Sequence, residues 1–134
     1  MITIPEPTIP LIIRTDFSND HLWDLLCESI SEAENQVETE FNFLDDPSIK
    51  ELSLNNLYLQ LKDKRHRFVF IADDKTFNHT ELPVICVDTD DILGKSFRLI
   101  PGMLGGIFGN LFIANMDFNE FAAAVEADGI FRGF

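Results

Sequence analysis

The sequence predicts an α+β fold with an α/β-like start: one domain over residues 1–134, a mixed sheet of five to six strands with three packed helices in the order β-α-β-α-β-β-β-β-α. Three observations carry this. Strand-like and helix-like segments alternate through the first half, which favours parallel pairing. Strand patterns then follow one another, and the five-residue link DILGK, Asp91 to Lys95, favours an antiparallel hairpin. The last quarter, NLFIANMDFNEFAAAVEADGIFRGF, runs an apolar strand into a well-signalled helix. At 134 residues and 46% hydrophobic, the chain can bury about 68% of its unfolded surface in one core and is too short for two.

Ile9 to Thr15 is the first strand, its apolar run suiting burial on both faces. Ser18 is the expected N-cap of the next helix, with Phe17 stapled onto Leu22. Leu22, Leu25, Leu26, Ile30 and Ala33 form its inward stripe, and Asp20, Asp24, Glu28 and Glu32 its outward face. Val37, Thr39, Phe41 and Phe43 alternate with polar neighbours as a half-buried strand, ended by Asp45-Asp46-Pro47. A second helix starts at Ser53, with Leu52 and Leu57 as its staple and Leu54, Leu57, Tyr58 and Leu61 inside. Phe68 to Ala72 and Val84 to Val87 read as buried strands, and Phe97 to Ile100 and Leu111 to Ala114 as shorter ones. The final helix has Asp117 as N-cap, Glu120 at the capping-box position, Met116 against Phe121 as a staple, and Gly129 as its stop.

The formal net charge of −13 is uneven: residues 1–60 hold 12 acidic against 2 basic residues, and residues 61–134 hold 11 against 8. Such a field repels nucleic acid and anionic lipid and steers basic partners. The one basic cluster, Lys62 to Arg67, is the cation-rich end of a helix and a solvated turn. The N-terminus MITIPEPTIPLII lacks a basic region and is broken by prolines, so it is not a signal peptide. Leu99 to Met116 is an uncharged run of 18 residues, but Pro101, Asn110, Asn115 and four glycines argue against a membrane span. Cys27 and Cys86 lie far apart and suit core packing in a reducing cytosol. The expected location is cytoplasmic.

Chemical motifs are absent. His21, His66 and His79 share no metal-ligand spacing, and there is no nucleophile elbow, Cys–His signature or phosphate loop. No metal and no cofactor are expected, and the absence argues against an enzyme. Arg14, Asp16, Asp73, Asp74, Asp88, Asp90 and Asp91 sit at or near strand ends, where α/β clefts gather ligands. If the fourth strand is antiparallel, Asp88 to Asp91 lie at the opposite end from Asp73, which separates any carboxylate trio. Arg14 is expected inside and paired with a carboxylate, because burying it alone would be prohibitive.

The stretches LIIRTDFSNDHLWDLLC, FIADDKTFNHTELPVICVD and NLFIANMDFNEFAAAVEADGIFRGF together resemble a family of small uncharacterised bacterial proteins, most specifically at NMDFNEFA and DGIFRGF. The resemblance implies a bacterial cytosolic domain with no assigned activity and no catalytic residue to carry over. GMLGGIFG departs from it, glycine-rich where a more polar segment is expected.

Two function classes follow. The first is a non-enzymatic interaction domain of the immunity-protein type, whose acidic face (Asp20, Asp24, Glu28, Glu32) meets a basic protein partner, as small acidic toxin inhibitors do. The second is a small-molecule-binding domain or small enzyme with a cleft near Arg14, Asp16, Asp73 and Asn115. The segment Gly102 to Gly109 leaves two readings: an irregular loop folded onto its own core, or an apolar surface of Met103, Leu104, Ile107 and Phe108 covered by a second copy in a homodimer.

Overall fold

A computed structural model describes residues 2–33 and 40–134. Six strands form one sheet: β1 (Leu11–Arg14), β2 (Asn42–Leu44), β3 (Phe68–Ala72), β4 (Val84–Asp88), β5 (Ser96–Leu99) and β6 (Ile130–Phe131), in the spatial order β2-β1-β3-β4-β5-β6. β1 runs parallel to both β2 and β3, and β3–β4 and β4–β5 are antiparallel. The early alternation and the later hairpin are both as the sequence predicts. β6, parallel to β5, has too few residues to show a period of its own.

Helices cover both faces. On one side α1 (Asp20–Ala33), α4 (Leu104–Phe112) and α5 (Phe118–Ala122) pack Trp23, Leu26, Ile30, Leu104, Ile107 and Phe121 onto Ile12, Phe70, Cys86, Phe97 and Leu99. On the other, α2 (Leu54–Asp63) packs Leu57 and Leu61 onto Leu11, Ile13, Val69, Ile71 and Val87. Strand alternation produces the split, because Leu11 and Ile13 face one side while Ile12 faces the other. The fifth helix, α3 (Asp74–Phe77), is one capped turn after β3.

Several local expectations are corrected. Asn19, not Ser18, caps α1: its Oδ1 accepts from the Leu22 amide at 3.0 Å. Ser18 instead donates to Asp16 from both its amide and its hydroxyl. Phe17 covers Arg14 at 4.6 Å rather than reaching Leu22 as a staple. The buried stripe of α1 is Trp23, Leu26 and Ile30; Leu25 is 39% exposed and Ala33 is exposed, because the helix is rotated to seat the larger indole. Leu54 at the start of α2 is likewise exposed. Val37 and Thr39 fall outside the described residues. Gly129 does not end the last helix, which stops at Ala122; with φ +82° it shapes the turn before β6.

The largest correction concerns Pro101–Phe112. The glycine-rich segment is a 3₁₀ turn, Pro101–Met103, running into α4, so Leu111 to Ala114 is a helix end and not a strand. Glycine costs about 1 kcal/mol against alanine in a helix. Burying Leu104, Ile107 and Leu111, spaced three and four apart, gains about 1.5–3 kcal/mol each and outweighs it. Leu104 and Ile107 therefore belong to the protein's own core, with Met103 and Phe108 packed partly against it. That removes two of the four residues from any surface a second copy would cover.

Candidate functional site

β1 lies between two parallel neighbours, and the helices that follow β1 and β2 pack on opposite faces. This topology opens a crevice at the carboxyl ends of β1 and β3, where α/β sheets gather ligands. Thr15, Asp16, Phe17, Ser18, Lys50 and Asp73 line it.

Three of the charged groups at this end of the sheet, Arg14, Asp16 and Asp73, are bonded within the fold. Arg14, 3% exposed, donates from Nε to the Asp16 carbonyl at 2.9 Å, from Nη1 to Asp45 at 3.3 Å and from Nη2 to Asp20 at 2.7 Å. Phe17 and Trp23 sandwich its guanidinium at 4.6 and 5.6 Å. One side chain thus ties together the ends of β1 and β2 and the start of α1. Asp73 caps α3 through the Thr76 amide and takes a two-pronged contact from Arg98 at 3.0 and 2.8 Å. Burial pushes its carboxyl up, but the bonds from Arg98 and Thr76 outweigh that and hold it below the usual aspartate value. Asp16 is held low chiefly by the Ser18 hydroxyl and amide. Asn115 does not join these residues. Its side chain donates to Asn110 at the far end of α4, next to carbonyls that accept from Arg67 at the start of β3. β5 returns the chain to the Asp73 end of the sheet, where Arg98 meets Asp73, and α4 then runs to the opposite end, which places Asn115 away from Asp73.

The acidic face of α1 is a different kind of surface. Asp20, Asp24, Glu28 and Glu32, spaced four apart, are all exposed along one side of the helix. Among the described residues only Asp20 is paired with a cation, Arg14. A shallow groove runs beside them between α1 and the α3–β4 loop; Leu22, Leu25, Phe77 and Leu82 form its apolar wall, Asn78, His79 and Thr80 its polar one, and Ser29, Ala33, Glu81 and Pro101 line it farther on. At 100° per residue Leu25 lies next to Glu28 and Glu32, so the acidic row borders an apolar trough. In the trough Leu82 holds φ +50°, a left-handed conformation that bulky side chains rarely adopt, in a turn closed by its amide bond to the His79 carbonyl. The sequence pattern had no signal for this trough, because it forms between segments about fifty residues apart.

Both cysteines are unpaired. Burial pushes the Cys27 thiol up to about 12, with Asp24 and Asp45 adding to it, and burial also pushes Cys86 well above the usual thiol value. Among the described residues no group of three or more His, Cys, Asp or Glu side chains could hold a metal ion, and no helix is long and apolar enough to cross a membrane.

This is an α+β domain that holds Arg14, Asp16 and Asp73 at its sheet-end crevice in internal bonds and whose exposed charge borders a groove on α1. Residues 9–134 match the family described as Domain of unknown function (DUF6924), and the chain belongs to that family. No curated protein matches it. Among solved structures, prolyl-tRNA synthetase from Cryptosporidium parvum, complexed with halofuginone and AMPPNP, is similar over 86% of this chain and 24% of that one, at 17% identity and a TM-score of 0.53. The chain spans about a quarter of that synthetase, and the likeness is one of fold.

Proposed function

We propose that the protein is a non-enzymatic interaction domain that binds a basic protein partner along α1. A basic toxin restrained by an acidic inhibitor in a bacterial cytosol is one such pairing. The observation that carries this reading is the exposed row Asp24, Glu28 and Glu32 bordering the Leu22–Leu25 trough. An apolar strip flanked by charge is the usual anatomy of a protein interface: the strip gives buried area, and the charge gives orientation and speed of encounter. Arg14, Asp16 and Asp73 are already bonded within the fold, so the sheet-end crevice offers a ligand chiefly Lys50 and Asp74.

The test uses the triple variant Asp24→Asn, Glu28→Gln, Glu32→Gln, leaving Asp20 in place because it holds Arg14. With a partner captured from the host, the association rate should fall about tenfold or more and lose most of its salt dependence. An unchanged rate and salt dependence would remove this surface from the interface.

A second reading is a small-molecule site in the crevice, favoured by its position at the switch between β1 and β3. Lys50 and Asp74, which line it, would then carry recognition. Binding that survives the triple variant and is lost in Lys50→Ala would favour this reading.

A further inference from the structure

At the other end of the sheet, the start of β3, the β4–β5 hairpin, the end of α4 and the start of α5 border a half-open cavity of about 340 Å³. That volume lies in the range of sites for small organic ligands. Phe68, Leu111, Met116 and Phe118 give it an apolar lining, and Arg67, Lys95, Asp90 and Asp91 line it with both signs of charge.

The walls are fixed before any ligand arrives. The buried Asp88 carboxylate accepts from the amides of Asp90, Asp91 and Ile92 at 2.9, 3.1 and 3.0 Å, which sets the hairpin. Arg67 donates from Nη2 to the carbonyls of Leu111 and Phe112, which sets the end of α4. Ala114, at the cavity wall, holds φ +56°, a strained conformation of the kind that clusters at binding sites. Capacity is left over. Lys95 meets only the neutral Asn119 side chain, and an ammonium has three donors. Among the described residues Arg67 Nη1 and the carboxylates of Asp90 and Asp91, all on exposed residues and open to solvent, have no hydrogen-bond partner within the protein.

We propose that this cavity binds a small zwitterion with an apolar body, the class to which free aromatic and aliphatic amino acids belong. An anion alone would meet the repulsion of Asp88, Asp90, Asp91 and Asp117. A cation alone would be drawn to the carboxylates but would leave Arg67 and Lys95 without a counter-charge. A ligand with both charges at one end places its carboxylate towards Arg67 and Lys95, its ammonium towards Asp90 and Asp91, and its apolar body against Phe68 and Phe118. The site is separate from the α1 face and stands whether or not that face binds a partner.

The experiment is an amide NMR titration of the full chain with three probes: L-phenylalanine, its C-terminal amide and its N-acetyl derivative. The free amino acid should shift the amides of Phe68, Asp91, Lys95 and Asn119 saturably, and each singly charged probe should bind about tenfold more weakly, the loss expected for one charge-assisted hydrogen bond. Lys95→Met should weaken the amino acid and strengthen the amide probe, a cation that then meets one positive charge fewer. Equal binding of all three, tighter binding of either singly charged probe, or no shift around the cavity at millimolar amino acid would overturn the proposal. Should Lys95→Met fail to fold, the three-probe comparison on the unmodified protein still decides.

Discussion

Arg14 Nη2 donates to Asp20 Oδ1 across 2.7 Å, joining an arginine that is 3% exposed to an aspartate that is 86% exposed. The asymmetry sets what each residue contributes. Asp20 can return to water if its partner is lost, whereas Arg14 is held inside by three acceptors and two aromatic rings.

Replacing Arg14 by Met should therefore cost about 2 kcal/mol, since it removes several charge-assisted bonds without stranding a buried carboxylate. Asp20→Asn should cost less, about 1 kcal/mol or under, because Asp45 and the Asp16 carbonyl still hold the guanidinium. Urea midpoints check the order; a larger loss from Asp20→Asn would contradict the arrangement.

The cap of α5 makes a second case. Asp117 accepts from the Glu120 amide at 2.9 Å, and Glu120 reaches back to the Asp117 amide. Asp117→Ala should cost about 0.5–2 kcal/mol, read as a lower denaturation midpoint, whereas an unchanged midpoint would show that the cap contributes nothing.

α4 carries glycine where alanine would serve and alanine where glycine would serve. A Cβ built on Gly106 or Gly109 meets nothing within 4 Å, so Gly106→Ala and Gly109→Ala should each stabilise by about 0.5–1 kcal/mol through helix propensity and a less flexible unfolded chain. Ala114 sits just past the helix in the left-handed region, so Ala114→Gly should also stabilise, by about 1 kcal/mol. Thermal midpoints that fall in these variants would contradict the open helix face and the strained cap.

Acid should weaken the fold in two steps. Burial lowers the His66 pKa, only partly offset by the bond to the Pro5 carbonyl and by Glu6. The folded state thus favours neutral imidazole, and that stability, present above the unfolded value of about 6.5, is lost as pH falls below it. Asp73 has its folded pKa lowered, so its contribution is lost only as pH falls below about 4. Between pH about 7.5 and 5.5, urea midpoints should decline in the parent protein and more weakly in His66→Gln. Equal slopes would place the loss elsewhere.

The cysteines should be slow. With the Cys27 thiol pushed up to about 12 and Cys86 buried, a thiol reagent at pH about 8 should label the native protein at least about 100-fold more slowly than free cysteine. Fast labelling of one thiol without unfolding would show that Cys27 is activated.

What the chain shows on its own is whatever depends on neighbours in sequence. The α+β class, strand β3, the β4–β5 hairpin, the Ser53 cap and the Asp117–Glu120 box were all legible, because turn length, period and caps act within a few residues. The acidic row of α1 was legible for the same reason: residues four apart share a helix face. Tertiary structure decided the rest. α4 is a helix because the core offers places for Leu104, Ile107 and Leu111, and that burial outweighs the glycines that speak against it. Trp23 turned inward and Leu25 outward because the sheet, not the helix, selects which side of a broad apolar face is buried. β6 exists only through its pairing with β5. Asp73 and Asn115 lie at opposite ends of the sheet because α4 packs as a helix that runs back along it, and the trough beside α1 forms only where the loop at Leu82 is folded against it. These contacts join residues far apart in the chain, and no local periodicity encodes a distance that only packing brings to zero.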